Sequence, residues 1–205
     1  MNILITAGGT REYIDPVRFI TNASSGKMGY ALARAAIRAG HKVILITAPT
    51  KLRKPTEAKI VEVKTSAQMF DAVKKHFPKS KCLIMAAAVS DYKPAKQSKT
   101  KIKKTAAELI IKLKPTQDIL KWAGGHKKKN QVLVGFALED KDLKTNSEIK
   151  LRNKKLDMVI ANQPTAIEAN KSTVHIKTKD TGWVTLSNKS KAMTAKKIIQ
   201  LAEKL

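Results

Sequence analysis

Short apolar runs and helical stripes alternate along this chain. Asn2–Thr6 is apolar and meets Ala7-Gly8-Gly9-Thr10, the pattern of a strand entering a tight turn. From Gly26 to Ala39, Met28, Ala31, Leu32, Ala35, Ala36 and Ile37 fall at helical spacing, and Gly40 supplies the stop. Lys42–Thr47 and Lys59–Val63 read as strands. Ser66–Phe77 predicts a helix begun by a serine cap and closed before Pro78. Lys81–Ala87 reads as a buried strand. Gln131–Ala137 and Asp157–Ala161 read as strands bracketing a lysine-rich helix from about Leu143 to Lys155. Thr173–Lys177 and Gly182–Thr185 suggest a late hairpin, and Ser190–Lys204 a final amphipathic helix.

This alternation predicts an α/β fold: one domain over residues 1–205, a doubly wound, mostly parallel, Rossmann-like sheet covered by helices. Ligands in such sheets bind at the carboxyl ends of the strands, so the loops after Thr6, Ala87 and Ala137 should share one cleft. One stretch breaks the pattern. Lys93 to Lys104 is lysine-rich and contains Pro94, and Glu108–Lys114 then alternates like an exposed strand. Leu109, Ile111 and Leu113 share one face; Ile110 and Lys112 share the other. The segment is either a solvated flap or a protruding strand pair that reaches into a partner subunit.

Charge changes the picture next. The formal net charge is +25 over 205 residues, and almost all of it is lysine, since the only arginines are Arg11, Arg18, Arg34, Arg38, Arg53 and Arg152. Such a balance attracts polyanions in general. Aromatic residues make up only 4% and the lysines are dispersed, which speaks against a dedicated nucleic-acid function. Cys82 is the single cysteine, so no internal disulfide can form and a reducing compartment is expected. Its apolar neighbours Leu83, Ile84 and Met85 predict a buried small hydrophobe rather than a reactive thiol. His41, His76, His126 and His175 lack metal-ligand spacing. The apolar start is too short for a signal peptide and nothing later could span a bilayer, so a cytoplasmic protein with no membrane partner is expected.

The candidate chemistry centres on Arg18-Phe-Ile-Thr-Asn22-Ala-Ser-Ser-Gly26-Lys27-Met-Gly29, which opens an apolar helix shortly after a strand. Backbone N–H groups and the helix dipole both favour an anion there. It is not a Walker A loop, because Met28 follows Gly26-Lys27 and no glycine sits five residues before Gly26. Tyr92-Lys-Pro-Ala-Lys96 has the spacing of a short-chain dehydrogenase pair, but Pro94 opposes the helix that chemistry needs. A nicotinamide oxidoreductase is the alternative that the fold permits, although the first strand lacks Gly-x-Gly-x-x-Gly.

Further motifs stand in fixed order: Thr6-Ala-Gly-Gly-Thr-Arg-Glu, Asp15-Pro-Val-Arg18, Asn22-Ala-Ser-Ser-Gly-Lys-Met-Gly29, Ala86-Ala-Ala-Val-Ser-Asp91-Tyr92, Lys101-Ile-Lys-Lys104, Val134-Gly-Phe136-Ala and Ala161-Asn162. Together, from about Asn2 to the last helix, they resemble phosphopantothenate–cysteine ligase. That resemblance implies a ligase of coenzyme A biosynthesis that joins 4′-phosphopantothenate to L-cysteine. CTP activates the carboxylate as an acyl-cytidylate, with Mg²⁺ serving the triphosphate. ATP replaces CTP in eukaryotic relatives.

The resemblance also implies roles for matching residues. Lys101 corresponds to a lysine at the nucleotide phosphates, with Lys103 and Lys104 in the same motif. Asn22 corresponds to the asparagine of the acyl-nucleotide; its amide can donate to the mixed anhydride and accept elsewhere, as lysine cannot. Arg18 shapes the substrate side, either as a fork to phosphate or as an internal ion pair with Asp15 or Glu12. Ser24, Ser25, Gly26, Lys27 and Met28 form the phosphate-facing turn. Met85, Ala86 and Ala87 let a base approach the main chain, and Asp91 binds nucleotide directly or through Mg²⁺. Gln117, Asp118, Ile119 and Leu120 occupy a helix start where many relatives carry Asn-Pro in place of Thr116-Gln117. Phe136 lines the nucleotide pocket or packs in the core. Lys150 and Lys154, four apart on one helix face, reach the nucleotide or form a solvated face. Because Met1 opens the first strand, a stand-alone ligase is expected. A separate phosphopantothenoylcysteine decarboxylase would act next, unless the chain is a fragment of a bifunctional protein, and a homodimer would form through Glu108–Lys114.

Overall fold

The computed structural model describes every residue except Glu168. In chain order the elements are β1 (Asn2–Ala7), β2 (Arg11–Tyr13), β3 (Phe19–Thr21), α1 (Lys27–Arg38), β4 (Lys42–Thr47), β5 (Lys59–Glu62), α2 (Ser66–His76), β6 (Cys82–Met85), β7 (Tyr92–Pro94) and β8 (Leu113–Pro115). They continue with α3 (Ile119–His126), β9 (Val132–Leu138), α4 (Leu143–Asn153), β10 (Met158–Asn162), β11 (Lys171–Thr178), β12 (Val184–Ser190) and α5 (Lys191–Ala202).

Eight strands form one sheet in the order β12-β11-β10-β9-β6-β1-β4-β5. From β5 to β10 every pair is parallel; β11 and β12 add an antiparallel margin. The chain winds outward from β1 through β4 to β5, then crosses back to β6 and continues to β9 and β10. The reversal falls between β1 and β6, where a doubly wound sheet opens a crevice at its carboxyl edge.

The central strands are apolar throughout because both faces are covered. Ile3, Ile5 and Ala7 of β1 enter one core with Leu32, Ala33 and Ala36 of α1 and Ile198 and Ile199 of α5. Leu4 enters the other, with Met69 and Phe70 of α2, Leu120 of α3 and Leu151 of α4.

Three local features differ from the reading of the sequence. Thr65, not Ser66, caps α2: its side chain accepts from the Gln68 N–H while the Gln68 side chain accepts from the Thr65 N–H, a reciprocal capping box. The strand expected over Glu108–Lys114 shrinks to β8, which pairs Leu113 with Pro94 and Pro115 with Tyr92. Backbone bonds from the Ala95 N–H to the Lys112 carbonyl and from the Thr116 N–H to the Asp91 carbonyl, each at 2.8 Å, flank this short ladder, and both prolines sit where no ladder N–H is needed. Residues 105–112 lie outside helices and strands, and Ile110 is 80% exposed. Finally, β2 and β3 form an antiparallel hairpin that no alternation announced. Its turn is built on Asp15, whose Oδ1 accepts the N–H groups of Val17 and Arg18, each at 2.8 Å.

Candidate active-site cleft

The crevice between β1 and β6 is held by hydrogen bonds between their following loops. Gly8, at φ 81°, turns the chain, and the Ala88 N–H donates to the Gly8 carbonyl at 2.9 Å. Thr6 Oγ1 accepts the Ala87 N–H at 3.1 Å, and Thr10 Oγ1 accepts the Ser90 N–H at 3.0 Å. Thr6, Thr10 and Ser90 are buried, so these bonds are shielded from competing water. On this platform the Asn22 amide donates to the Val89 carbonyl at 3.1 Å, drawing the loop before α1 across the crevice. Helix α1 approaches β1 closely at Gly29, where an added Cβ would lie 2.5 Å from Ala7 Cβ.

Two contiguous cavities follow. The larger, about 640 Å³, is lined by Asn22, Ser24, Ser25, Gly26, Lys27 and Met28 on one side and by Ala86, Ala87 and Val89 on the other. The smaller, about 350 Å³, is lined by Met85, Gln117, Asp118, Ile119, Leu120 and Lys154. Ala87, Val89, Asp91, Phe136 and Lys150 line both and form the wall between them. Loops, strand ends and helix ends from widely separated stretches of sequence thus meet at one edge of the sheet. Arg18 and Lys101 line neither cavity.

The polar groups have definite partners. Lys150 donates from Nζ to the Phe136 carbonyl at 2.7 Å, and burial first, then the neighbouring Lys154, hold its pKa below the ordinary lysine value. Lys154 pairs with Asp118 at 3.0 Å, and Asp118 caps α3 by accepting the Lys121 N–H at 2.9 Å. Burial would raise the Asp118 pKa, but the Lys121 N–H and the Lys154 ammonium together lower it. At the start of α1 the hydroxyls of Ser24 and Ser25 accept the N–H groups of Gly26 and Lys27 only at 3.4 and 3.5 Å. These long bonds leave the helix start open to a stronger acceptor.

Arg18 takes the internal role of its two. Its Nε donates to Asp15 Oδ2 at 3.0 Å and its Nη2 reaches the Ile102 carbonyl at 2.6 Å. That carboxylate also accepts the Ile102 N–H at 3.2 Å, and chiefly the Arg18 guanidinium drives its pKa far below the usual carboxylate range. Lys101 is exposed and sits one residue before this anchor. Phe136 both lines the cavities and packs against the core beneath them.

The cleft also contains Glu139, Asn162, Ser172 and Lys191, none of which was singled out from the sequence as a site residue. Asn162 ends β10 at the carboxyl edge, a signal that was available. Lys191 had no local signal, because β11 and β12 must be placed before α5 is seen to start at the cleft. Among the described residues, no three His, Cys, Asp or Glu side chains cluster as a metal site.

Comparison with known proteins agrees with this fold. All of residues 1–205 match the family model described as DNA/pantothenate metabolism flavoprotein C-terminal domain. The bifunctional coenzyme A biosynthesis protein CoaBC of Bacillus subtilis (strain 168) is 47% identical over 162 residues, covering 78% of this chain and 40% of that protein. A protein named cysteine/cysteine sulfinic acid decarboxylase, from an unknown prokaryotic organism, is 47% identical over 161 residues, covering 78% of this chain and 45% of that one. The chain therefore spans less than half the length of these relatives. A solved C-terminal domain of CoaBC superposes with a TM-score of 0.87 at 39% identity, covering 99% of this chain and 94% of that one. The Cab2 H337A mutant, solved with phosphopantothenate-cysteine, shares the fold at 19% identity and a TM-score of 0.82, covering 99% of this chain and 86% of that one. By its full-length match, the chain belongs to the DNA/pantothenate metabolism flavoprotein C-terminal domain family.

Proposed function

We propose that the chain is a phosphopantothenate–cysteine ligase working in the cytoplasm. The observation that carries this reading is the shared wall. An anion-binding helix start and a second pocket meet at Ala87, Val89, Asp91, Phe136 and Lys150, so an acid and a nucleotide can touch without leaving their sites. In the first half-reaction a carboxylate oxygen of 4′-phosphopantothenate attacks the α-phosphorus of CTP, and pyrophosphate leaves. In the second, the cysteine amine attacks the acyl carbon, the amine proton is lost and CMP leaves, giving 4′-phosphopantothenoylcysteine. Both steps bring like charges or a weak electrophile together, so positioning and electrostatic stabilisation are what the protein supplies.

The larger cavity takes the acid and the smaller one the nucleotide. Asn22, fixed by Val89, presents its amide to the mixed anhydride. Lys150 and Lys154 face the nucleotide, and Lys101 swings in from its exposed segment. Mg²⁺ binds few protein carboxylates when a triphosphate supplies its other ligands, and Asp91 on the shared wall suits that limited role. The exposed Tyr92, Leu109, Ile110 and Leu113 form the apolar contact of a homodimer. A phosphopantothenoylcysteine decarboxylase acts next, on this protein's product.

The test combines protein, CTP, Mg²⁺, 4′-phosphopantothenate and cysteine, with mass analysis of the products. CMP formation that requires both acid and amine supports the reading, and its absence with both CTP and ATP overturns it. Lys101→Gln should abolish pyrophosphate release, and Asn22→Asp should slow turnover of the acyl-nucleotide.

A further inference from the structure

The larger cavity has two ends. One is the wall shared with the smaller pocket, and the other is closed by the starts of α1 and α5. We propose that Lys191 binds the phosphate of the acid substrate at this second end and thereby selects the phosphorylated acid over the free one. The inference rests on the ligase reading and names a recognition residue for it.

The topology brings Lys191 there. Strand β11 is antiparallel to β10, and β12 is antiparallel to β11, so β12 ends at the same edge of the sheet as β1 and β6. Helix α5 leaves from that edge and runs beside α1, sharing its core. Two helix N-termini therefore point into one end of the cavity, each presenting the positive end of a dipole. Ser190 caps α5 by accepting the Met193 N–H at 3.3 Å, and Lys191 is the first helical residue.

Lys191 is half-buried and lines the cavity together with Ser24, Ser25 and Lys27. Its Nζ donates to the Ala166 carbonyl at 3.2 Å, which engages one of the three donors of an ammonium group. Burial, and then the charge of Lys27, lower its affinity for a proton. Two cations held near each other and partly out of water are stabilised by an anion between them. A phosphate monoester fits that position: it accepts the remaining Lys191 donors and competes with the Ser24 and Ser25 hydroxyls, whose bonds to the helix start are long. With the phosphate at this end, the acid's carboxylate extends toward Asn22 and the shared wall.

The test measures steady-state constants for wild type, Lys191→Met and Lys191→Arg, with calorimetric binding of 4′-phosphopantothenate and of pantothenate. Methionine keeps the aliphatic stem and removes the donors. The expected result is a rise of roughly 10- to 100-fold in KM and Kd for 4′-phosphopantothenate. The KM values for CTP and cysteine, and the melting temperature, should stay near wild type. The variant should make no difference to pantothenate, and arginine should restore part of the affinity. An unchanged Kd for 4′-phosphopantothenate in Lys191→Met overturns the proposal. So does an equal weakening toward all substrates with a lowered melting temperature, which would make Lys191 a structural tie to Ala166. If wild type forms no CMP, the ligase reading fails, and the two binding measurements still decide whether Lys191 recognises a phosphate.

Discussion

Gly29→Ala tests whether the fit of α1 against β1 sets the geometry of the cleft. The added methyl would stand 2.5 Å from Ala7 Cβ and 2.9 Å from the Thr6 carbonyl oxygen, whereas ordinary contact begins at 3.4 Å. The helix must therefore retreat by about 1 Å at its first turn. Overpacking of this kind costs about 1–3 kcal/mol. Alanine returns about 1 kcal/mol through its better helix propensity. The net loss is about 0–2 kcal/mol, a fall in Tm of no more than about 8 °C for a chain of this length. Activity should suffer far more. The loop carrying Asn22 to Met28 moves with the helix, while Ala87 and Ser90 stay bonded to β1 and its following loop. A displacement of about 1 Å in a positioning element can lower the rate about 100-fold. Pyrophosphate release and thermal melting on the same preparation measure the two effects. Gly40→Ala is the contrasting variant: at φ 79° it strains the backbone, but its Cβ meets nothing within 4 Å and the residue lies at the far end of α1. It should lower Tm and leave kcat/KM intact. A Gly29→Ala enzyme with wild-type kcat/KM would refute the reasoning.

Other outcomes follow from single contacts. Thr65→Ala removes one half of the capping box on α2 and should cost about 1 kcal/mol, a fall in Tm of about 2–4 °C, with activity unchanged in the pyrophosphate assay. Lys150, buried and near Lys154, holds its proton less tightly than the ordinary value of 10.5. The native state then loses that proton before the unfolded state does, so the penalty of burying the charge is greatest at neutral pH and is relieved as pH rises toward 10.5. Unfolding curves of wild type and Lys150→Met should therefore shift relative to each other across the alkaline range, with wild type gaining; a pH-independent difference would contradict the assignment. The Cys82 thiol is fully buried and burial pushes its pKa up to about 12. A thiol reagent should label it only at the rate of unfolding, and fast labelling of folded protein would show that β6 is not packed as described.

The parallel sheet was legible because each central strand is a short apolar run set off by a turn or cap. The loop from Asn22 to Gly29 was legible because its groups are contiguous and open a helix. Other features depend on encounters between distant segments. Strands β2 and β3 are three residues each, too short for alternation to register, and they exist because Asp15 organises the turn between them. The alternation over Glu108–Lys114 yields only the short β8, because within its own chain this stretch is largely exposed and Ile110 is 80% exposed. Arg18 could have been a free fork or a partner of Asp15, and only the fold decides that. Lys191 reaches the cleft through two antiparallel reversals, which no local pattern encodes.

The clamp on Ile102 sorts the three lysines around it. Its N–H and its carbonyl are both held, by Asp15 and Arg18, so this peptide acts as a pivot for the exposed arm that follows. Lys101 and Lys103 flank the held residue on either side and trace small arcs, whereas Lys104 lies one residue farther along the exposed limb and sweeps a wider one. A charge mounted beside a fixed point returns to the same spot, and positions 101 and 103 have that placement in this chain.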